Sequence, residues 1–280
     1  MERSTIEAGG YIFDAIADGP IDGPLAILLH GFPESAAEWT HVIPLLAASG
    51  VRALAFDQRG LSAGARPEGI ENYHHTLLAS DVLDVATALG AERFHLVGHD
   101  WGALVAWSVA ASAPERLMSL SIVSVPHPRA FADARANDPE QIEKSAYIEF
   151  FKTPEEPEKV FVGPDGSLHL AFAEIDPEIA AVHISRLNEP GAMTAALNYY
   201  RAWDSSLDEL GTIEVPTLFV WSTDDVAIGR AGAEATAGWI SAPYRFEIYE
   251  GLSHWIPEVA PERLAADIVE HIETFRWAME

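Results

Sequence analysis

The chain has 280 residues, 49% of them hydrophobic, with 17 Lys+Arg against 43 Asp+Glu, a net charge of −26 at pH 7 and no cysteine. That length and apolar content suit one sizeable core carrying an insertion better than two independent domains. The missing cysteines exclude disulfides and thiolate zinc sites, which is compatible with a reducing cytoplasm, and the strongly negative charge excludes nucleic acid and acidic membrane surfaces as natural partners, leaving small neutral molecules.

The opening Met1-Glu2-Arg3-Ser4 has neither the basic start nor the apolar stretch of an export signal, and a first strand pair is expected within 4–17. Short apolar, β-rich runs then alternate with segments of helical length. In chain order these are strand 25–29, helix 36–49, strand 51–56, helix 75–89, strand 93–97, helix 101–113 and strand 119–125. From 129 to 211 the rhythm breaks into helix-like text punctuated by Pro139, Pro154, Pro157, Pro164, Pro177 and Pro190, with no convincing central strand. It resumes with strand 217–221, helix 231–241, strand 244–249 and helix 262–278. The longest apolar runs fall far short of the ~20 residues a membrane-spanning helix needs, so no span is expected.

This βαβα order predicts an α/β fold with a mainly parallel, doubly wound sheet. The expected division is a core of 1–128 and 213–280 with a helical cap of 129–212. The cap follows the strand after the 101–113 helix, over the carboxyl ends of the strands where open α/β sheets bind ligands.

The sharpest chemical signal is Gly98-His99-Asp100-Trp101-Gly102, directly after one strand and opening a helix. It reads as a nucleophile elbow with aspartate in the serine position: small flanking residues let strand and helix approach closely enough to hold the central residue in strained geometry. A plain alternative makes Asp100 an ordinary helix N-cap. Partners in the order nucleophile, acid, histidine favour the elbow, since Asp225 and His254 each follow a predicted strand by a few residues and would gather at one end of the sheet.

Four motifs together resemble epoxide hydrolases of the α/β-hydrolase superfamily: His30-Gly31-Phe32-Pro33, Asp57-Gln58-Arg59-Gly60, the elbow, and Gly251-Leu252-Ser253-His254-Trp255. The resemblance spans nearly the whole chain and implies the α/β-hydrolase fold, with Asp100 as nucleophile, Asp225 as the orienting acid, His254 as general base, and the backbone N–H groups of Phe32 and Trp101 as the oxyanion hole. Asp225 is preferred over Asp224 because the family places the acid four residues after the tryptophan matched by Trp221. Within the insertion, the stretches around Tyr147 and Asn198-Tyr199-Tyr200-Arg201 resemble the two cap tyrosine segments, which implies Tyr147 and Tyr200 as the pair gripping the epoxide oxygen, with Tyr199 a rival to Tyr200.

The implied reaction, hydrolysis at an ether bond giving a vicinal diol, matches these residue types. A carboxylate can attack a saturated ring carbon to form an ester, and tyrosines, protonated at neutral pH, can donate to the departing alkoxide. The expected substrate is a small, neutral, largely apolar epoxide, with water as co-substrate and no cofactor; a homo-oligomer is compatible with the reading. His30 and His99 read as structural hydrogen-bonding residues, and the lack of a His/Glu cluster with zinc-ligand spacing argues against a catalytic metal. Haloalkane and haloacid dehalogenases of the same fold form the nearest alternative, because Trp101 stands where some hold halide, although Phe32 replaces the asparagine expected there and no arginine follows Asp100. Ester or lactone hydrolysis, or ligand binding without catalysis, are weaker readings.

Overall fold

The computed structural model describes residues 1–163 and 165–276; Pro164 of the insertion and the last two residues of the helix expected at 262–278 lie outside the described residues. Eight strands form one sheet: β1 (Glu2–Ala8), β2 (Tyr11–Asp18), β3 (Leu25–Leu29), β4 (Arg52–Phe56), β5 (Phe94–His99), β6 (Leu117–Val123), β7 (Thr217–Ser222) and β8 (Tyr244–Tyr249). Their order is β1-β2-β4-β3-β5-β6-β7-β8. The first two strands pair antiparallel with each other, and β2 with β4, while every later pairing is parallel. The central strands are buried along their whole length, as in β3 and β5, which is why they read as continuous apolar runs without alternation.

Helices α1 (Val42–Ala48), α2 (His75–Ala88) and α3 (Trp101–Ser112) follow β3, β4 and β5 in turn. After β6 the chain is helical from Pro128 to Asp208: α4 (Pro128–Asn137), α5 (Pro139–Lys144), α6 (Tyr147–Lys152), α7 (Glu156–Phe161), α8 (Leu168–Ala171), α9 (Pro177–Leu187), α10 (Ala192–Arg201) and α11 (Ser205–Asp208). The core then closes with α12 (Arg230–Ala235) after β7, and with α13 (Ile256–Val259) and α14 (Pro261–Phe275) after β8. Two expected helices are broken. The 36–49 stretch is a 3₁₀ turn, Ala36–Thr40, then α1, whose Pro44 stands in the first turn where a proline costs no hydrogen bond. The 231–241 stretch ends as α-helix at Ala235 and continues as 3₁₀ to Trp239.

One apolar cluster packs α2 and α3 on one face of the sheet, through residues such as Val82, Val85, Leu104 and Trp107. A second packs α1 and α14 on the other, through Ile43, Leu46, Leu264 and Ile268. A third joins the helical insertion to Leu61 of the core. The two sheet faces are thus sealed, and ligand access is left to the carboxyl ends of the strands beneath the insertion. No helix among the described residues is long and apolar enough to cross a membrane.

Candidate active site

Asp100, Asp225 and His254 each lie in the loop after a parallel strand, β5, β7 and β8 respectively, and so meet at one end of the sheet. Asp100 has φ +48° and ψ −117°, a backbone state that costs a non-glycine residue free energy and persists only when its surroundings hold it. The surroundings are tight. A Cβ added at Gly98 would stand 2.3 Å from the Gly102 carbonyl oxygen, and one at Gly102 would stand 2.2 Å from that of Leu29. Although Asp100 heads α3, its side chain makes no capping bond. Its Oδ1 instead accepts the backbone N–H of Phe32 at 2.8 Å, and Oδ2 faces His254 Nε2 at 3.7 Å. The N-cap reading is thereby displaced.

Asp225 is fully buried yet held ionised. Burial opposes its charge, but the His254 imidazole and the donors around it outweigh burial and lower its pKa. Those donors are Ser124 Oγ at 2.7 Å and the backbone N–H groups of Ala227 at 2.8 Å and Ile228 at 2.9 Å. His254 Nδ1 lies 2.9 and 3.0 Å from the two carboxylate oxygens. An Nδ1–H held in this way leaves Nε2, in the neutral ring, as the acceptor facing Asp100. Burial alone would depress the His254 pKa; the charge and hydrogen bond of Asp225 override it and raise the value. Asp224, the neighbouring candidate, is exposed, and its carboxylate accepts from the adjacent Thr223 hydroxyl.

Tyr147 on α6 and Tyr200 on α10 face each other edge-on, with ring centroids 6.4 Å apart. Both stand near enough to Asp100 for its charge to add to burial in raising their pKa values, so both phenols stay protonated. The Trp101 indole packs edge-on against Tyr200, and Phe32 and Phe151 complete the aromatic wall. Tyr199 points elsewhere: its hydroxyl donates to the Arg59 carbonyl at 2.8 Å beside Tyr73. Trp101 opens α3, where the first-turn N–H groups have no partner within the helix.

His30 bonds the Gly31 carbonyl and receives the Gln58 N–H, and so braces the Phe32 loop. His99 leads to a feature that spacing along the chain did not announce. Its Nε2 bonds the His254 carbonyl at 3.0 Å, while its Nδ1 lies 3.2 Å from both Glu34 and Glu38. Glu34 also meets Glu258 on α13, which faces His183 on α9 at 3.8 Å. Histidines that stand singly in the sequence thus gather with three carboxylates in a sealed pocket behind the triad. Burial strongly disfavours charge there, yet the hydrogen bond and charge of His99 hold the Glu34 pKa down, while burial and the Glu34 charge push those of Glu38 and Glu258 up.

Residues 24–261 match the family model of the α/β hydrolase fold. A Bacillus subtilis relative, the AB hydrolase superfamily protein YfhM, is 35% identical over 277 residues, covering 96% of each chain. Epoxide hydrolase A of Mycobacterium tuberculosis is 31% identical over 309 residues, covering 95% of this chain and 96% of its own. The chain belongs to the epoxide-hydrolase group of the α/β hydrolases. The crystal structure of epoxide hydrolase A from Mycobacterium thermoresistibile superposes on this hydrolase with a TM-score of 0.82, at 26% identity, covering 97% of this chain and 98% of that one. The sheet, the elbow after β5 and the helical segment between β6 and β7 are therefore properties this hydrolase holds as a member of that group.

Proposed function

We propose that this hydrolase converts a small, neutral, largely apolar epoxide to its vicinal diol through an ester on Asp100. The observation that carries the reading is the pair of protonated phenols, Tyr147 and Tyr200, facing each other near the nucleophile, whose charge helps keep both protonated. Because Phe32 N–H occupies Oδ1, the oxygen left to attack is Oδ2. It forms a bond to a ring carbon as the ring C–O bond breaks, and the electron pair on the departing oxygen takes a proton from the phenol pair. Donors placed where charge develops stabilise the transition state more than the ground state.

In the second half-reaction His254 Nε2, 3.7 Å from Asp100 Oδ2, removes a proton from a water beside the ester, and the resulting hydroxide attacks the ester carbonyl. The carbonyl oxygen, Oδ1, already sits on the Phe32 amide, and the Trp101 amide completes the cradle. Collapse of the tetrahedral adduct expels the diol and restores the carboxylate, and the imidazolium proton returns to the tyrosine pair.

The test is intact-protein mass spectrometry of His254→Gln mixed with an aryl or alkyl epoxide. An adduct of substrate mass on the Asp100 peptide is expected, and is absent from Asp100→Asn. An unmodified His254→Gln protein, or chloride release from haloalkanes faster than diol release from matched epoxides, would overturn the assignment.

A further inference from the structure

The acid of the triad is held by a residue of the helical insertion. Asp225 Oδ1 rests on the N–H groups of Ala227 and Ile228, so its position depends on the path of the 225–229 loop. That loop does not hold itself. Gln141 on α5, fully buried, donates through Nε2 to the Ala227 carbonyl at 2.8 Å and accepts the Gly229 N–H on Oε1, also at 2.8 Å. Its other amide hydrogen goes to Ser145 Oγ at 2.9 Å. Ala227 is thus bracketed, its N–H on the catalytic carboxylate and its carbonyl on Gln141. One turn further along α5, the Lys144 ammonium reaches the carbonyl of Asp225 itself.

We infer that Gln141, supported by Lys144, is a positioning residue for Asp225 and through it for His254, so that the inserted helices set the water-activating half of the reaction as well as covering the substrate. Physically, a buried amide that satisfies two main-chain groups can be replaced by an apolar side chain only at the cost of leaving both unpaired. The loop relieves that cost by moving. An Asp225 carboxylate that moves with it loses its two amide donors and its in-line hold on His254 Nδ1. The alternative, that Gln141 merely glues insertion to core, predicts lost stability with unchanged chemistry.

Attribution of the expected half-reaction effect rests on the epoxide reading; the titration below does not. The variant is Gln141→Met, similar in length and without hydrogen bonds. Its unliganded His254 is titrated by NMR, and its single-turnover kinetics are followed with an epoxide. The titratable groups that face His254 are Asp225, Asp100 and His99, none of which is altered. A drop in the His254 pKa of a unit or more is expected, with ester formation on Asp100 within twofold of wild type and ester breakdown at least tenfold slower. Glu189→Gln, which loosens a different tie between insertion and core at Arg66, is the control and leaves both readouts unchanged. If Gln141→Met does not fold, Lys144→Met is expected to give the same selective slowing, a few-fold in size. A folded variant with wild-type His254 titration and wild-type ester breakdown overturns the inference, whereas failure of wild type to turn over any epoxide overturns only the substrate reading and leaves the titration to decide.

Discussion

Asp225 and Glu258 flank the same catalytic histidine region, are equally sealed from water, and have pKa values shifted in opposite directions. Asp225 collects a hydroxyl, two backbone N–H groups and the His254 imidazole, and its pKa is lowered. Among the described residues, Glu258 meets the Glu34 carboxylate and His183 at 3.8 Å, receives no donor, and its pKa is raised. Burial is common to both, so the count of donors aimed at each carboxylate decides its charge. The pair also separates two kinds of work: a charged acid that tunes a base, and a protonated acid cluster that lets a polar pocket exist behind it.

The largest test removes the charge on the first side. Asp225→Asn keeps shape but offers His254 an amide in place of a carboxylate, and kcat is expected to fall by roughly 10³–10⁴, the scale seen when a triad acid is neutralised, with the ester on Asp100 accumulating; steady-state turnover together with mass spectrometry checks it. Next comes pH. His254 must be neutral to take a proton from water, and its pKa is raised. The acid limb of kcat should therefore lie above the ordinary histidine value near 6.5, with about a tenfold loss per pH unit below it, and Asp225→Asn should move that limb down. Ser124→Ala removes one of Asp225's donors while leaving the two amides, so a fall of about three- to tenfold in kcat is expected, with little change in ester formation under single turnover.

The smallest effect belongs to the second side. Glu38 has a raised folded-state pKa, so above the unfolded value of 4.5 the unfolded chain ionises first and stability declines as pH rises. Glu38→Gln keeps an acceptor for the Gly31 N–H and cannot ionise. Its melting temperature should exceed wild type by a few degrees at pH 8, with the gain shrinking toward pH 5; calorimetry across that range decides. A variant less stable than wild type at pH 8 would mean that Glu38 is charged in the fold and that donor counting fails here.

How much of this could be read from the chain alone differs between the same two sides. The elbow was legible because its cause is local: Gly98, Asp100 and Gly102 are set by one turn between an apolar strand and a helix. Asp225, His254 and the paired tyrosines were named by resemblance to the family, and the structure brings all four around Asp100. The carboxylate cluster was not legible, because Glu34 and Glu38, His183, and Glu258 come from three separated stretches and any one of them reads as an ordinary polar residue. Gln141 was invisible for the same reason. It lies on a short polar helix, and only the tertiary approach of the 225–229 loop gives its amide a purpose. The broken helices at 36–48 and 230–239 were blurred by composition, since alanine-rich text suits an α-helix and a 3₁₀ turn alike.

The contact between positions 31 and 100 has a practical consequence. A Cβ at Gly31 would lie 2.5 Å from the Asp100 Cβ, so the loop after β3 and the loop after β5 occupy each other's only available space. Any redesign that randomises one while holding the other fixed will meet a steric wall at the first methyl group. New specificity on this scaffold has to be sought in the insertion, whose side chains meet the two loops at Phe32 and Trp101, in the contacts with Phe151 and Tyr200, and not at the Gly31–Asp100 crossing.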